Sequence, residues 1–306
     1  MRWRPEPHCC RPSIALVQLS SKLTELGRLP AALRAAKKFD SLRPGLAATT
    51  RLAYQSELRA DMDQARELFG RSVDPMSEAS ARAFVAFHLG DIARRSGQFR
   101  LAERQFDAAL VALPDYPAAM AGRASILALT GETRRATVVL EKVVASVPLL
   151  EQLIALGELY ELQGDDLAAQ QQYDVVRATA ELARAGGVRP DLELAWFEAD
   201  HGDPKEALRL ARAEWDKRQS PLVADALAWA LHANGLDRQA LRYTKLATQY
   251  GGDARAWHHR GTIEAALGLD ELAIAHLERA QQLDMGYSPW PAQQLETTLR
   301  TLENRS

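Results

Sequence analysis

The sequence predicts an all-α fold in which about eight helix pairs stack side by side as an α-solenoid. A motif of about 34 residues recurs, loosely, almost from end to end of the 306-residue chain. Small residues return at two fixed places in each copy, and a glycine separates the two apolar stretches of most copies. Each pair is too small to bury its own apolar side, so the pairs must stabilise one another by stacking.

The clearest copy covers residues 83–116. Gly90 and Ala102 are its eighth and twentieth residues, where a small side chain lets two helix backbones approach closely. Gly97, the fifteenth, supplies the left-handed conformation that ends the first helix. Phe106 and other large apolar residues at places 4, 7, 11 and 24 fill the grooves between pairs, and Pro114 stops the second helix.

Aligned on the turn glycine, eight copies begin near residues 13, 46, 83, 117, 150, 188, 221 and 254. The second copy is degenerate because Ala60 replaces the glycine, and Asp74-Pro75 then interrupts the chain. The second helix of the fifth copy is expected to continue to about Ala185, where Gly186-Gly187 ends it. Asp203-Pro204 gives the sixth copy an N-cap carboxylate followed by proline at the first helical position.

The two ends differ from the 13–286 solenoid. Residues 1–12 carry charges and three prolines without the apolar run of a secretory signal, so we expect a disordered leader or a mis-assigned start. In residues 287–306, Ser288-Pro289 begins a helix with Leu295, Leu299 and Leu302 on one face. One apolar and one polar side suit a helix that caps the last pair.

Charge is distributed unevenly along the chain. The net charge is −2 and the pI about 6.4, which favours no general attraction to nucleic acid. Residues 1–149 hold 22 basic against 15 acidic residues (+7), whereas 150–237 hold 8 against 17 (−9). Partner choice and chance drift of a solvated surface both explain this gradient. No apolar run approaches the 18 residues of a membrane span.

Patterns that carry catalysis are missing from the sequence. It contains no Gly-x-Gly-x-x-Gly, Walker loop, Gly-x-Ser-x-Gly or His-Glu-x-x-His. Cys9 and Cys10 are adjacent and cannot staple a fold, and no histidine has partners at metal-ligand spacing. We therefore predict no enzyme activity, cofactor or metal. His201, between Asp200 and Gly202, is expected to help cap a helix, and a site there is the alternative.

The motif resembles the tetratricopeptide repeat (TPR), whose pattern is Trp-x-x-Leu-Gly-x-x-Tyr, then Ala-x-x-x-Phe, Ala and Pro. Leu89-Gly90, Ala102, Phe106, Ala109 and Pro114 carry the likeness, and 198–203 and 225–230 are similar to bacterial TPR proteins of unassigned role. The resemblance implies a right-handed superhelix whose first helices line a concave groove. It assigns as groove residues Tyr54, Glu57, Phe87, Asp91, Arg94, Ser125, Glu158, Glu161, Trp196, Asp200, Asp225, Trp229, His232 and His258.

The resemblance implies a non-enzymatic scaffold that binds a protein or peptide. Carboxylates beside Trp196 and Trp229 would suit a basic or amphipathic segment through ion pairs and cation–π contacts. The alternative, that both tryptophans are core and the carboxylates merely solvated, stays open. No Lys and Asn set for a two-carboxylate clamp occurs at the groove places.

Three further expectations concern the protein's setting. A sensor or effector module of a bacterial regulatory system is the alternative function, although no DNA-binding or kinase pattern appears in these residues. The first pair is expected to expose an apolar end through which the protein could form a homodimer. As given, the chain predicts a cytoplasmic protein, or an exported one if the true start lies upstream.

Overall fold

The computed structural model describes residues 11–73, 76–283 and 289–304, which form 17 helices and no strand. The helices are α1 (Arg11–Glu25), α2 (Leu29–Leu42), α3 (Leu46–Glu57), α4 (Met62–Gly70), α5 (Ala79–Arg95), α6 (Phe99–Ala112), α7 (Pro117–Leu129), α8 (Thr133–Ser146), α9 (Leu150–Leu162), α10 (Asp166–Ala185), α11 (Asp191–His201), α12 (Pro204–Lys217), α13 (Pro221–Ala233), α14 (Asp237–Thr248), α15 (Ala254–Ala266), α16 (Asp270–Gln282) and α17 (Pro289–Glu303). Consecutive helices pack as eight pairs, α1 with α2 through α15 with α16, and each pair packs on the next. The predicted fold class, an α-solenoid, is confirmed.

Two first helices begin away from the repeat boundaries. In the third pair α5 starts at Ala79, four residues before the motif, and Asp74-Pro75 just upstream lies outside the described residues. In the sixth pair α11 starts at Asp191, directly after Pro190. Proline disfavours helical geometry in the residue that precedes it, so Arg189 stays outside the helix.

The small residues at place eight leave room for side chains of the paired helix. A Cβ added to Gly90 at place eight, or to Gly122 at place six of the next copy, would lie 2.6 Å from the ring of Phe106. Phe106 is fully buried between these two glycines, one in its own pair and one in the next. Gly261 is covered in the same way by Leu277, at 2.6 Å. These glycines therefore set the spacing of the stack.

The turns between paired helices use the left-handed conformation. Gly97 and Gly131 have φ of 67° and 86°. Ala60 adopts φ of 57° at the place where the second pair lacks its glycine. This conformation costs an alanine about 1 kcal/mol more than glycine. The packing of the second pair therefore overrides the local preference of its turn.

The solenoid curves until its beginning meets its later pairs. A Cβ on Gly27, in the α1–α2 link, would lie 2.7 Å from the carbonyl oxygen of Gln219 in the α12–α13 link. Likewise a Cβ on Gly251 would lie 3.1 Å from the carbonyl oxygen of Arg59. These loop contacts join the first two pairs to the sixth, seventh and eighth pairs.

The last helix, α17, contacts two separate parts of the solenoid. Its Leu295 and Leu302 are buried against Ala273 and Leu277 of the eighth pair, with Leu299 packed beside them. Its N-terminal end reaches back to α9, as described below. The expected N-cap, Ser288, lies outside the described residues.

Candidate binding surfaces on the first helices

The first helices of the later pairs form a surface that we call the covered groove. It consists of residues from α9, α11, α13 and α15, and the N-terminal end of α17 lies over it. A cavity of about 210 Å³ remains beneath α17. The residues of the covered groove are Glu158, Glu161, Asp200, His201, Trp229, His232, His258 and His259, and the covering residues are Trp290 and Pro291.

Trp229 stands at the centre of the covered groove. Its Nε1 donates a hydrogen bond to Oδ1 of Asp200 at 2.6 Å. Its ring stacks on His259, with 4.0 Å between centroids, and on His232, with 4.9 Å. Burial raises the pKa of Asp200, although His259, His201 and the Trp229 hydrogen bond oppose the shift. Both the indole and the carboxylate are thus occupied by the protein itself.

His201 connects α11 to α9 and α17. Its Nε2 lies 3.3 Å from Oε1 of Glu158, its Nδ1 lies 3.6 Å from Oε2 of Glu161, and its ring lies 4.6 Å from that of Trp290. Burial disfavours the charged imidazolium, but the Glu158 hydrogen bond and the charges of Glu158, Asp200 and Glu161 raise the pKa of His201 overall. The expected helix-capping role is therefore wrong, since this side chain is buried in the groove.

The pKa of His258 is shifted in the opposite direction to that of His201. Only 4% of the residue is exposed, and its Nδ1 is buried with no hydrogen-bond partner. Burial, followed by the charges of His259 and His232, lowers the pKa of His258 to about 3. The adjacent His258 and His259 rings lie 5.7 Å apart. In the described ranges no cluster of histidine, cysteine and carboxylate side chains is arranged to hold a metal ion.

Asp225 links the covered groove to a second surface. This carboxylate is buried, with 3% of the residue exposed. It accepts hydrogen bonds from Nε1 of Trp196 at 2.9 Å and pairs with Nδ1 of His259 at 2.9 Å. Two of the four acidic residues predicted to meet basic ligand side chains, Asp200 and Asp225, thus each accept from a tryptophan 29 residues away, while the other two, Glu158 and Glu161, lie beside His201.

The second surface is a cavity of about 440 Å³ that we call the open cavity. It lies where the first two pairs face the sixth, seventh and eighth. Its lining includes the predicted groove residues Tyr54 and Glu57 on one wall and Trp196 and Asp225 on the other. Tyr54 is 46% exposed and Leu222 is 38% exposed, so apolar surface there faces solvent.

Ion pairs and ring contacts cover most charges of the open cavity. Glu57 pairs with Arg95 at 2.7 Å, and burial nevertheless raises the pKa of Glu57. Arg255 lies over the Trp196 ring at 4.5 Å from its centroid. A ligand cation was expected on this indole, whereas Arg255 of the protein itself occupies that position.

Four other predicted groove residues belong to neither surface. Phe87 packs against Phe106 and Tyr116, with ring centroids 6.1 Å and 5.9 Å away. Asp91 pairs with Arg94 at 2.7 Å, and Ser125 donates to the Gly122 carbonyl. Burial would raise the pKa of Asp91, but Arg94 and Arg95 lower it overall.

Trp290 and His259 at the covered groove and Arg51 at the open cavity were not among the predicted groove residues. Trp290 lies on the helix that was expected to cap the last pair. Asp225 and His259 are 34 residues apart, which is one repeat. That spacing is a signal that could have paired them, because it puts the fifth place of the seventh copy and the sixth place of the eighth copy on adjacent first helices, which stack as neighbours.

Comparisons with known proteins bear on the fold. No protein-family model matches the chain, and no curated protein matches it either. Among solved structures, the APC/C hetero-tetramer Cut9–Hcn1 matches with 16% identity over 94% of this chain and 55% of that chain, at a TM-score of 0.50. A tetratricopeptide repeat protein from Parabacteroides merdae matches with 20% identity over 83% of this chain and 97% of that one, at 0.46.

A third similar structure is MamA, with 17% identity over 57% of this chain and 96% of that chain, at a TM-score of 0.40.

In the parts of the chain that the structure describes, no helix combines the length and apolar character needed to cross a membrane. Eight stacked pairs with small residues at their close approaches, together with the overlap with Cut9–Hcn1, agree with the resemblance seen in the motif. The chain therefore has the α-solenoid fold of the tetratricopeptide repeat proteins.

Proposed function

We propose that the protein is a non-enzymatic scaffold that binds a segment of a partner protein in the open cavity. The observation that carries this proposal is an opening of about 440 Å³ with exposed aromatic and aliphatic side chains on facing walls. Ligand sites in proteins are mostly concave and apolar, with a few polar groups that orient the ligand. The open cavity has these features, with Tyr54 and Leu222 exposed and Arg95 and Glu57 beside them.

The covered groove is less suited to a partner. Oε2 of Glu161 and Nδ1 of His258 are buried there without a hydrogen-bond partner. The indole N–H of Trp229 and the carboxylates of Asp200 and Glu158 do have partners within the protein, however, and α17 lies over them. A ligand would have to displace these contacts, and each buried polar group left without a partner costs about 1–3 kcal/mol. The open cavity offers exposed apolar surface without that cost.

Site-specific photo-crosslinking tests the proposal. The photoreactive residue p-benzoylphenylalanine is placed at Tyr54, and cells that produce the variant are irradiated. The matched control carries the same residue at Val111, which is 85% exposed on α6 and lines neither surface. We expect a covalent adduct of discrete mass from position 54 and none from position 111. Equal adducts from both positions, or none from position 54, would contradict the proposal.

The expectation of a homodimer through the first pair stays a prediction. Ile14 and Leu19 of α1 are 54% and 48% exposed, so apolar surface is available there. The other end of the first pair meets the α12–α13 link through Gly27. Sedimentation velocity of the protein and of an Ile14→Glu, Leu19→Glu variant separates the two states: a dimer that the variant abolishes would support the prediction, whereas a monomeric wild-type protein would contradict it.

A further inference from the structure

The charged residues that line the open cavity differ in the hydrogen bonds and ion pairs that they make within the protein. Of its acidic residues, Asp225 accepts from Trp196 and pairs with His259, and Glu57 pairs with Arg95. Asp253 accepts from the backbone N–H of Ala256 at 2.9 Å and so caps α15. The remaining acid of the described lining, Glu25, is exposed. Each buried carboxylate of the cavity therefore already has a partner within the protein and does not require a basic ligand.

Arg51 is a basic lining residue that has no ion pair in the described chain. Its Nη1 donates to the Ala47 carbonyl at 2.7 Å, and its guanidinium lies over the Phe39 ring at 5.6 Å. No carboxylate of the described chain lies within ion-pair distance of it, and its Nε is buried without an acceptor. A guanidinium has five N–H donors, and the described chain accepts from one of them.

Apolar surface surrounds this cation. Tyr54, Leu58 and Leu29 line the same wall as Arg51, while Leu222 and Trp196 line the opposite one. Tyr54 lies one helical turn from Arg51 on α3, so the two side chains project from the same face of the helix. The cavity thus combines a cation that lacks an anion with an exposed aromatic ring and aliphatic side chains.

The net charge of the chain segment that carries Arg51 is also positive. The wall that carries Arg51 belongs mainly to the first two pairs, and residues 11–73 hold 11 basic against 6 acidic residues. The facing wall belongs partly to residues 150–237, whose net charge is −9, but its carboxylate in the cavity, Asp225, is covered by an indole and an imidazole. Complementary charge guides encounter and selects among partners, so an acidic segment is favoured at the first wall.

We propose that the open cavity binds a partner segment that places a carboxylate beside a large apolar side chain, with the carboxylate paired to Arg51. The proposal rests on the proposed function and specifies the chemistry of the partner. The apolar side chain lies between Tyr54 and Leu222. Arginine and carboxylate groups form two parallel hydrogen bonds when both are unobstructed, which fixes the orientation of the segment as well as its charge.

Selection from a random 12-residue phage-displayed library tests the proposal. The immobilised full-length protein is the target, and the selected peptides are synthesised for calorimetry. We expect enrichment of Asp or Glu next to Leu, Phe or Trp. An Asp→Asn or Glu→Gln change in the selected peptide is expected to weaken binding about tenfold to the wild-type protein, because a charge-assisted bond is lost.

The same peptides are then measured against Arg51→Gln, with Arg135→Gln as the matched control. Arg135 is an arginine of α8 whose side chain is 67% exposed and which lines neither cavity. Arg51→Gln is expected to weaken the acidic peptide about tenfold and to bind the acidic and amide peptides equally, whereas Arg135→Gln binds like the wild-type protein. The peptide substitutions alone keep the test decisive if Arg51→Gln misfolds.

Several outcomes would overturn the inference. Enrichment of Lys or Arg would instead support the basic ligand that the sequence suggested. A selection without enrichment, or equal binding of the acidic and amide peptides by the wild-type protein, would also contradict it. If the crosslink from Tyr54 forms while binding ignores the carboxylate, the proposed function stands and this inference alone fails. If no crosslink forms at Tyr54, the proposed function itself fails.

Discussion

The covered groove and the open cavity contain the same kinds of residue but use them differently. In the covered groove Trp229 donates to Asp200 and is stacked between two imidazoles beneath α17. In the open cavity Trp196 donates to Asp225, and its ring lines an opening of about 440 Å³. Tryptophan next to a carboxylate on a first helix therefore does not by itself mark a ligand site. The two surfaces differ in how far other side chains of the protein already cover the tryptophan ring and the carboxylate.

This difference predicts that the two tryptophans will respond differently to substitution. The largest expected effect comes from Trp229→Ala, which removes the stacked ring and leaves the buried Asp200 without its donor. We expect the free energy of unfolding to fall by about 3 kcal/mol, as for other aromatic truncations in packed sites. Chemical denaturation followed by circular dichroism measures it.

The matched variants for that measurement are Trp196→Ala and Val111→Ala. Trp196→Ala should cost less, about 1–2 kcal/mol, because one face of the site is open. Its main effect should be the loss of the covalent adduct between the partner and the photoreactive residue at position 54. Val111 is exposed, so Val111→Ala should change stability by less than about 0.5 kcal/mol. Equal losses of stability for the two tryptophan variants would remove the distinction between the surfaces.

The pH dependence of stability sharpens the comparison, because His258 belongs to the covered groove. Its pKa is about 3 in the folded protein against an ordinary value of 6.5, so the unfolded chain binds a proton at pH 5 that the folded protein does not. Stability is therefore lost as the pH falls below 6.5, by about 2 kcal/mol at pH 5 from this residue. His258→Gln should remove that part of the acid sensitivity.

Denaturation at pH 7 and pH 5 for the wild-type protein and His258→Gln gives the difference directly. His201 acts in the opposite direction, since its raised pKa stabilises the fold at low pH and this contribution is lost as the pH rises through that pKa. Comparison of the two proteins cancels it. The same loss of stability on acidification in both would show that His258 does not report burial beneath α17.

A smaller effect is expected where α17 crosses the covered groove. Trp290→Ala removes the ring that lies 4.6 Å from His201. Leu295 and Leu302 still hold the helix on the eighth pair, so we expect a loss of about 1–2 kcal/mol. Hydrogen exchange should accelerate in residues 289–294 and stay slow around Leu302. Uniform acceleration across α17 would mean that the groove contact, rather than the cap, holds this helix.

Arg51→Gln in the open cavity should change stability as little as the exposed control Val111→Ala. Arg51 makes one hydrogen bond to a backbone carbonyl and no ion pair in the described chain. The free energy of unfolding should therefore change by no more than about 0.5 kcal/mol. A thermal melt checks this, and a large drop would mean that Arg51 supports the fold instead of awaiting an anion.

The stacking of helix pairs could be predicted because it depends on contacts within one repeat or between neighbours. Gly90 and Phe106 lie 16 residues apart, so the motif itself records their contact. The approach of Gly27 to Gln219, and of Trp290 to His201, depends on the curvature summed over several pairs. Small rotations from pair to pair determine that curvature, and no short pattern encodes them. Many residues of the two surfaces could therefore be predicted from the sequence, but their division into two separate surfaces could not.

Hydrogen–deuterium exchange with and without a library-selected peptide tests the distinction between the surfaces most directly. We expect slower exchange on binding in residues 46–58, 218–225 and 250–256, around the open cavity. We expect no change in residues 150–162 and 289–303, where α9 meets α17. Slower exchange in 150–162 with faster exchange in 289–303 would show that the ligand displaces α17 and enters the covered groove, and the open cavity would then not be the binding site.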